Sequence, residues 1–426
     1  MKIEFKANGV IKPMHSVGQP PTIGICDYKL FHYLKEIGVK YSRLHDVGGS
    51  FGRGIYVDIP NLFRDFDANP FDPANYDFTF TDLLLQALVD NDIEPYFRLG
   101  VTIENAAKIK AYRIYPPKDN LQWARICEGV IRHYTEGWGN GFKMKITHWE
   151  IWNEPENKED PLENQMWRGT FQQYMELYKT ASTYLKERFP HLMIGGYGSC
   201  GLYAKTKVYL NGSAPRDSRI EYLADCFEKF VDFICKNKCP LDFFSFHYYD
   251  KFDRIGEPIE YVRKALDKAG FKKTELSLNE WKPTGDEIDS PQQAAHIAAA
   301  LLIMQDSPLD DAEIYDARCG MGAYSPLFNP ITYQPRRGYY ALKAFNELYK
   351  RGKALKVSGL PKGVYGVGAK GKKDIALMLA NCSGKAQKIN LGNIKSCLLL
   401  DETHNLEDVP VPSVIEDNAV MVLTLA

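Results

Sequence analysis

The chain has 426 residues, with 53 Lys+Arg against 54 Asp+Glu and a formal net charge of −1. Hydrophobic residues at 45% and charged residues at 25% exclude a largely disordered chain, and the charge balance argues against a nucleic-acid binder, which carries a basic excess. The length allows roughly two to four ordinary domains, or one large α/β barrel with a smaller companion.

The start, Met1-Lys2-Ile3-Glu4-Phe5-Lys6, alternates charge and hydrophobe, and no apolar stretch of a secretory signal follows. No apolar run reaches the ~18 residues of a membrane span. The chain as given is expected to be cytoplasmic; a periplasmic or secreted location would require a native signal that has been removed. The nine cysteines are odd in number and diffusely spaced, from Cys26 to Cys397, which speaks against a disulfide framework. Cys226, Cys235 and Cys239 lack the paired spacing of a structural zinc site and read as ordinary thiols.

In chain order, strand patterns fall at Lys40–Leu44, Glu94–Leu99, Thr147–Trp152, Leu192–Gly196, Leu241–Phe246, Glu275–Leu278 and Glu313–Tyr315, with a further one near Ile11–Val17. Helical periods lie between them at Tyr28–Ile37, Phe80–Asn91, Leu121–Tyr134, Phe171–Arg188, Tyr222–Lys236, Ile259–Ala269 and Pro291–Gln305. Strand and helix alternate as in a parallel sheet, and no Gly-rich phosphate loop follows a strand, so the expected fold class is α/β, a (β/α)8 TIM barrel. After Lys350 the pattern turns to short strands at Val364–Val367, Asp374–Leu379, Gln387–Leu391, Cys397–Leu400 and Ala419–Leu425. The predicted division is a barrel over residues 7–350 and a small all-β, sandwich-like domain over 351–426, with residues 1–6 as a strand that joins it.

The chemistry concentrates in two stretches. Ile146-Thr-His-Trp-Glu150-Ile-Trp-Asn153-Glu154-Pro155 is a strand stopped by proline, which puts Glu154 at a C-terminal strand end, the functional rim of a barrel. Glu275-Leu-Ser-Leu-Asn279-Glu280-Trp281 repeats that grammar and puts Glu280 at another strand end. Counted along the barrel, the two carboxyls face each other across the mouth. Such a pair suits glycosidic cleavage, where one carboxyl gives a proton to the leaving oxygen and the other meets the anomeric carbon. Glu150, at an even spacing from Glu154, is expected deeper in the barrel as a hydrogen-bonding residue.

These residues carry a resemblance. Asn153-Glu154-Pro155 and Asn279-Glu280-Trp281 look like the two catalytic strands of clan A glycoside hydrolases. Tyr41-Ser-Arg43-Leu-His45, Tyr76–Asp82, Ile93–Gly100 and Phe246-His247-Tyr248-Tyr249 make the chain most similar to glycoside hydrolase family 39, the family of β-xylosidases and α-L-iduronidases. The resemblance implies a retaining hydrolase acting by double displacement, with Glu154 as general acid/base and Glu280 as nucleophile. It implies Asn153 at the sugar 2-hydroxyl, Arg43 and His45 as further ligands, and His247 and Tyr249 as the His-x-Tyr of the xylosidase branch. Trp281 is the remaining substrate-contact candidate. Tyr249 stands where the iduronidase branch carries a lysine, which points to an uncharged sugar and a β-xylosidase-like activity. Asp316, Arg318 and Tyr324 replace the usual pattern after the last strand and read either as sugar contacts or as a loop ion pair. The expected partner is a carbohydrate substrate, with no nucleic acid, no membrane, no metal and no cofactor. Two alternatives stay open: the same chemistry on an arabinoside, galactoside or iduronide, and a non-catalytic carbohydrate-binding barrel.

Overall fold

The computed structural model describes residues 3–21, 27–47, 57–102, 114–319 and 324–425. Cys26 and part of the loop before Tyr324 lie outside them. Eight short strands close into a parallel barrel: β2 (Ser16–Gly18), β3 (Tyr41–Leu44), β4 (Glu94–Leu99), β5 (His148–Ile151), β6 (Met193–Ser199), β7 (Phe243–Tyr248), β8 (Glu275–Trp281) and β9 (Asp311–Ile314). β2 pairs with both β3 and β9, which completes the circle. The first strand starts later than its hydrophobic run, because Pro13 has no N–H to give to a ladder. β6, β7 and β8 run further than their patterns suggested. Gly195 lets β6 lie close to β7, since a Cβ there would lie 2.2 Å from the Phe243 carbonyl oxygen.

The helices are α1 (Phe31–Glu36), α2 (Ile59–Leu62), α3 (Thr79–Asp90), α4 (Asn120–Thr135), α5 (Phe171–Arg188), α6 (Lys207–Leu210), α7 (Ser218–Asn237), α8 (Gly256–Lys268), α9 (Pro291–Gln305) and α10 (Arg337–Tyr349). α5 spans the predicted residues, and Thr170 and Gln173 cap it reciprocally. α10 was missed: Arg336-Arg337-Gly338 masks its start, yet Tyr339, Leu342, Phe345 and Leu348 bury one face at helical spacing. No helix of the described residues is long and apolar enough to cross a membrane.

The chain's last part, joined by β1 from its start, forms a seven-stranded antiparallel sheet in the order β1-β10-β11-β12-β17-β14-β15, with a two-stranded β13-β16 beside it. Here β1 is Glu4–Val10, β10 Lys353–Ser358, β11 Val364–Lys370, β12 Ile375–Asn381, β13 Gln387–Lys388, β14 Ile394–Leu400, β15 Asn405–Val409, β16 Val414–Ile415 and β17 Ala419–Leu425. Alternation splits the central strands between two cores. Ala376, Met378 and Ala380 of β12, with Val420 and Val422 of β17, join the core shared with the barrel. Leu377, Leu379, Met421 and Leu423 build a second core with Ile389 and Ile415. α9 is buried on nearly every side, because it lies between the barrel and this sheet.

The loop after β5 is tied to the end of β6 by Glu156. Its Oε1 accepts from Ser199 Oγ at 2.8 Å and from the Cys200 N–H at 2.9 Å, while Oε2 is buried without a partner. Burial pushes this carboxyl up to about 7, against the hydrogen bonds it accepts. The native state thus holds a proton that the unfolded chain releases near pH 4.5, so its stabilising contribution is lost as pH rises through about 7. Glu156→Gln should remove that loss: relative to wild type, the variant should gain up to about 3 kcal/mol between pH 5 and pH 8. Denaturant midpoints at the two pH values check this; parallel pH dependences would contradict it.

Candidate active site

The site is built on Arg43. Its side chain rises from β3 into the barrel and is 1% exposed. Nε donates to Glu150 Oε2 at 2.8 Å, Nη1 to Glu280 Oε1 at 2.7 Å, and Nη2 to Asn153 Oδ1 at 2.5 Å. Burial works against the guanidinium's charge, but Glu150 and Glu280 outweigh it and raise its pKa. Glu150 also accepts from Ser245 Oγ at 2.5 Å and Asn279 Nδ2 at 2.7 Å, so this inward carboxylate is fully engaged below the mouth. The backbone closes tightly around the group: a Cβ on Gly198, which has a φ of +61°, would come within 3.1 Å of both Arg43 Nη2 and Asn153 Oδ1.

Glu154 leaves β5 in a left-handed conformation, φ +45°, which a non-glycine residue adopts only when its surroundings hold it there. Its N–H donates to the Gly198 carbonyl at 2.9 Å. Its Oε1 lies 2.8 Å from His247 Nδ1, and its Oε2 accepts from Asn157 Nδ2 at 2.7 Å. Glu280, from β8, binds Arg43 through one oxygen and accepts the Tyr249 hydroxyl at 2.8 Å through the other. His247 Nδ1 is also 3.5 Å from Glu280 Oε2. One carboxylate oxygen of each glutamate lies within 4.8 Å of the other.

Electrostatics differ at the three groups. Burial pushes Glu154 up, but the hydrogen bond and charge of His247 prevail and leave it below the usual carboxylate range. Burial holds Glu280 above that range, with His247 and Arg43 opposing and Glu154 adding to the rise. Burial lowers His247, yet the two carboxylates overcome it and raise the imidazole above its usual value. The ring's Nε2 is buried without a partner, so Nδ1 is the atom through which it holds a proton against Glu154.

His45 sits beside the group, with Nε2 3.2 Å from Asp46 Oδ1 and 3.8 Å from Glu280 Oε1. Burial, then Arg98 and Arg43, keep it neutral. Tyr249, Tyr315 and Tyr324 stand edge-on to one another, with ring centres 5.6–6.0 Å apart. Asp316 and Arg318 form an ion pair at 2.9 Å, and Arg318 also donates to the Asp46 carbonyl.

The fold thus brings together Glu154, Glu280, Arg43, His45, Asn153, His247 and Tyr249. Trp281 departs from its expectation. It is fully buried in the apolar core, because the residue after an inward Glu280 turns to the outer face of the strand. Sequence reasoning did not find Asn157, Gln19 or Tyr315. Gln19 Nε2 donates to the Tyr315 hydroxyl at 2.6 Å, and that hydroxyl donates to Asp46 Oδ2 at 2.8 Å. The available signal was position alone, since all three stand at or just beyond C-terminal strand ends.

Two groups among the described residues collect metal-ligand types: Glu154, His247 and Glu280 at the mouth, and His148, Glu275 and Asp311 at the opposite, N-terminal end of the barrel. The first is engaged as described above. In the second, His148 Nε2 pairs with Glu275 Oε2 at 3.2 Å, and Ser277 donates to Asp311.

The chain is similar to known glycosidases in sequence and in fold. A β-xylosidase of Caldicellulosiruptor saccharolyticus is 24% identical over 422 residues, which covers 90% of this chain and 77% of that protein. A β-xylosidase of Geobacillus stearothermophilus is 25% identical over 239 residues, covering 55% of this chain and 41% of that protein. The fold matches a glucosidase from Croceicoccus marinus with a TM-score of 0.75 at 19% identity, over 98% of this chain and 96% of that one. It also matches a GH39 β-xylosidase from Caulobacter crescentus with a TM-score of 0.68 at 17% identity, over 99% and 98%. The sequence model of glycosyl hydrolases family 39 matches residues 26–315, and the chain belongs to that family as an O-glycosyl hydrolase.

Proposed function

We propose that this enzyme is a retaining β-xylosidase-like hydrolase in which Glu280 is the nucleophile and Glu154 the acid/base. The observation that carries the reading is the approach of the two carboxylates, with oxygens within 4.8 Å across the mouth. Retaining enzymes hold their carboxyls about 5–5.5 Å apart, whereas inverting ones leave about 6.5–9.5 Å for a water. Glu280 suits attack on the anomeric carbon, because Arg43 and Tyr249 each donate to one of its oxygens and stabilise the ionised form. Glu154 suits proton transfer, because it shares a proton with His247 along the 2.8 Å contact. As the glycosidic oxygen leaves, that proton passes to it through Glu154 while Glu280 forms the glycosyl ester. Water then attacks the anomeric carbon, its proton returns to Glu154, and the bond from that carbon to Glu280 breaks to release the carboxylate. Asn153, with Oδ1 held by Arg43, has its NH2 group for the sugar 2-hydroxyl.

The preference for an uncharged sugar rests on Tyr249. A cation at that place would meet a substrate carboxylate; the tyrosine hydroxyl is instead committed to Glu280. The β-xylosidase relatives favour xylose over other neutral sugars. On an aryl β-D-xyloside, NMR of the first-formed sugar should show β-xylose, and initial α-xylose would overturn the retaining reading. Glu280→Ala should lose about 10⁴-fold in kcat or more. Added azide should restore cleavage of an activated aryl xyloside and give the α-xylosyl azide; wild-type rates in Glu280→Ala would remove it from the nucleophile role.

The pH profile carries the proton sharing. Glu280 must be ionised, so its raised pKa sets the acid limb; the Glu154–His247 pair must hold its proton, so it sets the alkaline limb. His247 lowers Glu280 and is itself raised by both carboxylates. His247→Ala should therefore narrow the kcat/KM profile from both sides, the acid limb moving up and the alkaline limb down. An unchanged width with reduced height would show that His247 only shapes the pocket.

A further inference from the structure

We infer that Lys282 is a substrate-contacting residue that donates hydrogen bonds to a hydroxyl on the terminal sugar, and so sets specificity. The inference rests on the glycosidase reading of the site. Lys282 lies two residues beyond Glu280, and its N–H extends the β7–β8 ladder by donating to the Tyr248 carbonyl at 3.1 Å. With alternation at period two, Lys282 follows Glu280 on the pocket side, while Trp281 between them faces the core.

Its side chain is in an unusual situation. The residue is only 6% exposed, yet among the described residues its ammonium has neither a hydrogen bond nor an ion pair. The carboxylates whose charge it feels, Asp316 and Asp286, are taken: Asp316 by Arg318 at 2.9 Å, Asp286 by His296 at 2.8 Å. What Lys282 does touch is the face of Tyr324, 5.2 Å from the ring centre. Tyr324 packs against Tyr249, whose hydroxyl binds Glu280. Three donors are thus held beside the aromatic wall of the reacting site with no acceptor among the described residues. Burial holds the ammonium below its usual pKa, against the charges of Asp316 and Asp286. A sugar hydroxyl in the site would supply the acceptor that the described residues do not. Since Asn153 stands for the 2-hydroxyl, the 3- or the 4-hydroxyl is the group Lys282 would take.

The test is a substrate-by-variant cycle on aryl β-xyloside and its 3-deoxy and 4-deoxy analogues. Lys282→Met keeps the apolar stem and removes the donors. It should lower kcat/KM on the parent by about 10–100-fold, the range of one hydrogen bond to a charged group. On one deoxy analogue, wild type and Lys282→Met should agree within about threefold, because the contact is already gone. Lys282→Arg should recover part of the loss on the parent alone. An equal loss on all three substrates would make Lys282 structural, and no loss on the parent would remove it from the site. Calorimetric titration of xylose and its deoxy forms into Glu280→Ala and Glu280→Ala/Lys282→Met reads the same contact without turnover. Failure of the wild type to cleave the xyloside would count against the xylosidase reading alone; equal sugar affinity in the two titrated proteins would overturn the role of Lys282.

Discussion

A single buried guanidinium organises the reacting end of this barrel. Removing Arg43 from water is costly, and the cost is met by hydrogen bonds to three partners on two other strands. Glu150 supplies a permanent counter-charge below, itself saturated by Ser245 and Asn279. Asn153 and Glu280 each take a donor from the two terminal nitrogens above. The planar fork fixes their relative positions in a way that the flexible point charge of a lysine could not. The placement of Glu280 and Asn153 at the mouth follows from this. Glu280 is aimed by Arg43 and Tyr249, His247 is placed between Glu280 and Glu154, and Gly198 leaves room for the whole group because it carries no Cβ.

Much of this was legible in the sequence, because barrel strands have short, strict grammar. A β-rich run ending in Asn-Glu puts a carboxyl at the rim, and Glu154 and Glu280 were readable on that ground alone. Glu150 was readable from even spacing. The same rule, applied one and two residues beyond Glu280, separates Trp281 from Lys282: the indole goes to the core and the ammonium to the face of Tyr324. Aromatic character drew attention to Trp281, whose ring lies in the core. Asn157 shows the other limit. It reaches Glu154 through a turn, and no period governs a turn residue.

The fold's omissions have equally physical causes. β10 alternates lysines with small apolar residues and leaves half its positions exposed, so its hydrophobic signal is faint. It exists because it is sandwiched between β1 and β11 in the sheet. α10 opens with two arginines and a glycine, a poor helix start by composition. Gly338 is needed there: a Cβ would lie 2.6 Å from the Pro326 carbonyl oxygen. Tertiary packing overrode local preference in both cases.

On the proposed assignment, the 3.5 Å contact between His247 and Glu280 couples charge to proton through the whole cycle. In the free site, Glu280 is one of the two anions that raise His247 and keep a proton on its pair with Glu154. When Glu280 attacks the sugar, its charge disappears into an ester. His247 then loses one of the two charges that supported its proton, at the moment when that proton is required by the leaving oxygen. The pair is left empty, which is the state needed to accept a proton from the incoming water. Hydrolysis restores the carboxylate on Glu280, and with it the reason for His247 to hold a proton again. The charge on the nucleophile and the proton on the acid/base pair therefore rise and fall together, and Arg43, whose charge does not change, keeps the geometry constant while they do.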